Sequence, residues 1–115
     1  MKGGFSRVRG GGGPAGFHDV LLEAVDEGLL ALGESVRQAI YRHMDRRYSI
    51  RRDDLPEKAG EFAEALRDML GAASEVLLKY MARRLYAKLK LGYEEKPGWS
   101  FLDYVNHARK AVEDA

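Results

Sequence analysis

From Asp19 onward, apolar residues return every three or four positions, at Leu22, Val25, Leu29, Leu32, Val36, Ile40 and Met44. That spacing keeps them on one face of an α-helix, a periodicity that the strict alternation of a strand does not produce. Two glycines fall inside the run, Gly28 and Gly33, and each costs about 1 kcal/mol relative to alanine in a helix interior. A bend or short break is therefore expected around Gly33, with one kinked helix and two separate helices both open. In the second half, Val36, Ala39, Ile40, Met44 and Tyr48 form the inner stripe and Ile50 anchors the exit.

Asp54, Leu55, Pro56 and Glu57 read as the next helix start. An Asp can cap free amides, an acidic residue three positions on completes the box, and proline is tolerated in a first turn. This helix turns Leu55, Ala59, Phe62, Leu66, Met69 and Leu70 inward, and Gly71 stands where a left-handed residue ends a helix. Between Ser74 and Leu91 the apolar residues Val76, Leu77, Leu78, Tyr80, Met81, Leu85, Tyr86 and Leu89 spread around much of the circumference. A helix of that kind is either central in a bundle or shared with a second subunit. Past Gly92 a connector holding Pro97 leads to Ser100 and Asp103, a second capping pair, and to a last helix with Phe101, Leu102, Val105, Ala108 and Val112 inside. The pattern predicts an all-α protein, a four- or five-helix bundle formed by residues 17–115 as a single domain.

Residues 1–16 are different in kind: seven glycines, one proline, and Lys2, Arg7 and Arg9 among few apolar side chains. They read as a flexible Gly-rich tail with no apolar core of a signal peptide. No stretch approaches the roughly 18 uninterrupted apolar residues of a membrane-spanning helix, so a cytoplasmic location without membrane attachment is expected. The 115 residues are 45% hydrophobic and contain no cysteine, enough apolar material for a core and none for disulfides or thiolate chemistry.

A net charge of +1 creates no global field, but the charges are blocked. Phe17–Val36 has five acidic residues and no Lys or Arg; Arg37–Arg52 has six arginines against Asp45 alone. Asp53–Leu78 has seven acidic residues against two basic, and Lys79–Lys90 has five basic and none acidic. Helix dipoles explain much of this, since acidic side chains favour helix N-termini and basic ones C-termini. The functional reading is a basic knob of Arg46, Arg47, Arg51 and Arg52, suited to phosphate, with Tyr41 or Tyr48 for stacking, or to an acidic partner protein.

Catalytic chemistry is hard to find. The Gly10–Gly13 run lacks the Gly-Lys-Ser/Thr of a phosphate loop. His18, His43 and His107 are far apart and lack partners at metal-ligand spacing; the carboxylate pairs Asp53/Asp54 and Glu94/Glu95 sit in polar, turn-like segments. Ser35, Ser49, Ser74 and Ser100 have no nucleophile-elbow context. No enzyme, metal or cofactor is expected.

Leu32-Gly33-Glu34-Ser35-Val36, Ala39-Ile40-Tyr41, Asp54-Leu55-Pro56-Glu57, Phe62, Ala65-Leu66 and Leu70-Gly71 together resemble the small archaeal helical family called the Nitrosopumilus output domain. Arg84-Leu85-Tyr86 and the run Trp99–Val105 extend the resemblance, which covers about Asp19 to Lys110. It implies an archaeal source and a stand-alone or fused output module of signalling proteins, and it carries over no active-site residue. Three functions follow as expectations: a non-enzymatic regulatory or protein-interaction module that self-associates or binds a protein partner; nucleic-acid binding through the arginine patch; and a small-molecule sensor lined by Tyr80, Tyr86, Trp99 and Phe101.

Overall fold

The computed structural model describes residues 16–114. The tail expected over residues 1–16 lies outside them apart from Gly16. The described residues form five α-helices and one 3-10 turn, and no strand.

Helix α1, Phe17–Leu30, buries Val20, Leu21, Leu22, Ala24, Val25, Gly28 and Leu29. It stops where expected. Leu32 and Gly33 donate their amides to the carbonyls of Leu29 and Leu30, both at 2.9 Å, and Gly33 takes φ 105°, a value side chains beyond glycine rarely adopt. The chain restarts as α2, Glu34–Tyr48, so the break yields two helices. Of the stripe expected on α2 only Ile40 and Met44 are fully buried; Val36 and Ala39 are exposed and Tyr48 is half-buried. The reason is placement: α2 packs on α1 and, lightly, on α3, so its outward side has no neighbour.

Ser49, in the left-handed region at φ 57°, ends α2, and Ile50 drops into the core. The helix start expected at Asp54 is displaced. Arg52–Asp54 form the 3-10 turn, the Asp54 carbonyl accepts from Glu57 and Lys58, and Lys58 leaves helical geometry at φ −123° and ψ 33°. Leu55 and Pro56 are both buried, which pulls this turn into the core and off the axis of α3, Ala59–Leu70. Gly71 then closes α3 at φ 61°.

Helix α4, Ala73–Leu89, follows at once and is the central element, packed on α1, α3 and α5. Its contact with α1 is antiparallel: Glu23 pairs with Lys88 (3.3 Å), Glu27 with Lys88 (2.5 Å) and Arg84 (2.8 Å), and Gly28 meets Met81. A Cβ at Gly28 would lie 2.5 Å from the Met81 Cγ, so glycine here sets how closely the helices approach. Residues 91–100 lead to α5, Phe101–Asp114. Its start is the predicted reciprocal cap, with the Ser100 amide donating to Asp103 Oδ2 (2.8 Å) and the Asp103 amide to Ser100 Oγ (3.2 Å). α5 buries Phe101, Tyr104, Val105 and Ala108; Leu102, expected inside, is partly exposed and lies over Gly60.

Candidate functional site

The four arginines expected to form one knob divide into two groups. Arg46 and Arg47, on the last turn of α2, are exposed, as is Arg51, whose Nε lies 3.9 Å from Asp45. Arg52 instead turns inward onto Asp26 of α1, with its Nη2 at 2.6 Å and Nε at 3.1 Å from Oδ2. The Asp26 carboxylate also accepts the Tyr41 hydroxyl at 2.5 Å and Arg37 Nη1 at 3.3 Å. Burial by itself would raise the Asp26 carboxyl, but hydrogen bonds from Arg52 and Tyr41 and the charges of Arg52 and Arg37 together hold it below its ordinary value. The same burial, with Asp26 beside it, raises the Tyr41 phenol. Arg52 and Tyr41 thus tie α1, α2 and the 3-10 turn together. Tyr48 is half-buried and packs edge-on against His43, with centroids 6.0 Å apart.

A second surface is assembled from segments distant in the sequence. Antiparallel packing brings the end of α1, the start of α2, the end of α3 and the start of α4 to one pole of the bundle. There Leu30, Leu32, Val36, Val76 and Tyr80 are exposed, Val76 at 75% and Tyr80 at 44%. Leu30 is one turn beyond Glu27 and Tyr80 one turn before Arg84, so both continue past the Glu27–Arg84 ion pair toward this pole. Val36 also lines an apolar groove of about 540 Å³ between α2 and α3, with Ser35, Ala39, Ile40, His43 and Met69. The pole therefore has a ridge and a groove, both largely hydrocarbon.

At the other side of α4 the structure forms a cleft of about 650 Å³ between α4, the connector and the start of α5. Of the four aromatics expected to line a pocket, Trp99 and Phe101 do so; Tyr93 and Tyr104 join them. Tyr86 is buried behind, edge-on to Tyr93 (5.6 Å), its hydroxyl donating to the Tyr104 carbonyl (2.8 Å). Burial, with Tyr104 and Tyr93 alongside, pushes the Tyr86 phenol up to about 12. Tyr80 faces the apolar pole instead. Trp99 meets Tyr104 edge to face at 5.1 Å, and the Lys96 ammonium lies 5.7 Å over the indole. The Lys96 amide donates to the Tyr104 hydroxyl at 2.7 Å, fixing the connector against α5. Lys79 pairs with Glu95, and Arg67 with Glu75 at 3.0 Å. The Tyr93 hydroxyl is buried without a hydrogen-bond partner, an uncommon state.

Among the described residues no three of His, Cys, Asp and Glu converge as a metal site, and no helix is long and apolar enough to cross a membrane. Comparison with known protein families, curated proteins and solved structures finds no match for this chain.

Proposed function

We propose that the domain is a non-enzymatic interaction module that self-associates through its apolar pole. The observation that carries this reading is the exposure of Leu30, Leu32, Val36, Val76 and Tyr80 on the elements that meet at this pole, with Val36 also lining the α2/α3 groove. Exposed apolar side chains scattered singly need no explanation, whereas a contiguous patch marks a surface meant to be covered. A second copy is the natural occupant. A two-fold interface needs one surface to carry both halves of the fit, and this pole has a ridge to insert and a groove to receive it. A net charge of +1 leaves two copies little mutual repulsion. The resemblance to signalling output domains supplies a setting in which assembly is the signal, and its quoted residues are caps, turns and core positions.

Light scattering on a size-exclusion column tests this. The expected mass is a multiple of the 12.9 kDa chain, unchanged by salt because the contact is apolar, and Val76→Glu with Leu32→Glu returns it to one chain. A single-chain mass at every concentration, or an oligomer indifferent to both substitutions, counts against the proposal.

The exposure of Arg46, Arg47 and Arg51 favours a second reading, phosphate contact with nucleic acid. Its mark is affinity that falls steeply with salt. In gel shifts Arg46→Glu with Arg51→Glu should abolish low-salt binding; binding that survives the pair removes this reading.

A further inference from the structure

The two edges of the α2/α3 groove carry opposite charge. On the α2 edge Arg42, Arg46 and Arg47 follow Ala39 and His43 by three or four positions, so they stand one turn further along the same side of the helix. All three are exposed, and no ion pair among the described residues engages them; Asp45, which falls between them in sequence, lies toward Arg51 at 3.9 Å. On the α3 edge Asp68 adjoins Met69 of the groove, and the Tyr48 hydroxyl donates to it at 3.4 Å, which puts Asp68 on the side of α3 that faces α2. Glu61 lies two turns earlier on the same face. Like Asp68 it is exposed and in no ion pair among the described residues, whereas Glu64 is held by Arg67 at 3.4 Å. A phosphate backbone laid along the arginines would meet this acidic stripe beside them. A second copy turned through a half-circle instead presents an acidic edge to each basic one.

We infer that two copies pair across this groove about a two-fold axis, the Ala39 edge of each α2 seated in the groove of the other, with Arg42 and Arg46 of each opposite Glu61 and Asp68 of the other. The inference rests on self-association through the apolar pole, to which Val36 also belongs, and adds a register to it. A two-fold contact requires one surface to be its own complement, and an apolar groove between a basic and an acidic edge meets that requirement. Ala39 is small enough for the two α2 backbones to approach closely. The apolar contact supplies the affinity and the charges choose the orientation. Exposed ion pairs add little net affinity, so salt leaves the mass unchanged, while like charges brought face to face oppose pairing.

Charge reversal on the full chain tests the register. Arg42→Glu with Arg46→Glu makes both edges acidic, and Glu61→Lys with Asp68→Lys makes both basic; all four side chains are exposed, so each variant should fold as the wild type does by circular dichroism. In sedimentation equilibrium each variant alone should associate at least about tenfold more weakly than the wild type. An equimolar mixture of the two should recover the wild-type affinity, because every acidic edge then meets a basic one. The chain has no cysteine, so Ala39→Cys provides a second measurement that leaves the charges alone. Beside the axis its Cα atoms come within the roughly 7 Å a disulfide spans, and mild oxidation should link two chains. Charge variants that associate as tightly as the wild type, a mixture no tighter than its components, or an associated Ala39→Cys chain that stays unlinked would each overturn the register and leave the apolar pole standing. A wild type of single-chain mass at every concentration removes both.

Discussion

Asp26 shows what a single side chain does in this domain. Its carboxylate is 19% exposed and receives Arg52, Tyr41 and Arg37 from two other segments. Asp26→Asn keeps the shape and removes the charge, so it should lower stability by on the order of 2 kcal/mol, the scale of hydrogen bonds to a charged group. The 40% exposure of Arg52 argues against a larger figure. The effect has a pH signature. A carboxyl held low in the fold stabilises fully above its unfolded value of about 4 and loses that contribution as pH falls through the folded value. Urea midpoints from pH 7 down to pH 2 should therefore drop more steeply for wild type than for Asp26→Asn below about pH 4; parallel curves would mean that Asp26 is not held low. The sequence shows why this network was illegible in advance. Arg52 is 26 residues from Asp26 and Tyr41 is 15, whereas local pattern reaches only one helical turn, so Arg52 read as part of a surface knob.

At the scale of elements, local signals read truly where the chain itself decides. Gly33 had to break the helix because its backbone takes a positive φ, and Ser100 with Asp103 caps α5 by a reciprocal contact three residues long. Asp54-Leu55-Pro56-Glu57 carries a similar local signal, but burial of Leu55 and Pro56 overrides it and α3 begins at Ala59. Gly28 shows tertiary context changing the meaning of a residue. Read locally it is a flaw in a helix, costing about 1 kcal/mol against alanine; in the bundle it is the gap that Met81 fills. Gly28→Ala should therefore lower stability, by roughly 1–2 kcal/mol after the helical gain is set against the overpacking at Met81 Cγ. Urea unfolding decides the sign, and a more stable variant would show that α1 and α4 separate readily to admit the methyl group.

For the molecule as a whole, the exposed apolar pole and the weak attachment of α2 are one problem. α2 fully buries only Ile40 and Met44, and polar bonds to Asp26 supplement this hold on α1, whereas α4 buries Ser74 and six larger or apolar side chains between three neighbours. Pattern alone placed Val36 and Ala39 inside because it reports which face is apolar, not whether anything covers it. Local opening is easiest where apolar contacts are few, so α2 amides should exchange with solvent sooner than those of α4. If a second copy covers the pole, it covers the exposed side of α2, and assembly then stabilises α2 by mass action. Hydrogen exchange measured across a hundredfold range of protein concentration should show α2 becoming more protected as the chain is concentrated, with α4 protection changing less. Val76→Glu with Leu32→Glu should leave α2 at its dilute rate throughout. Exchange of α2 that ignores concentration in the wild type would mean that its outer face stays bare, and the apolar pole would then need an occupant other than this chain.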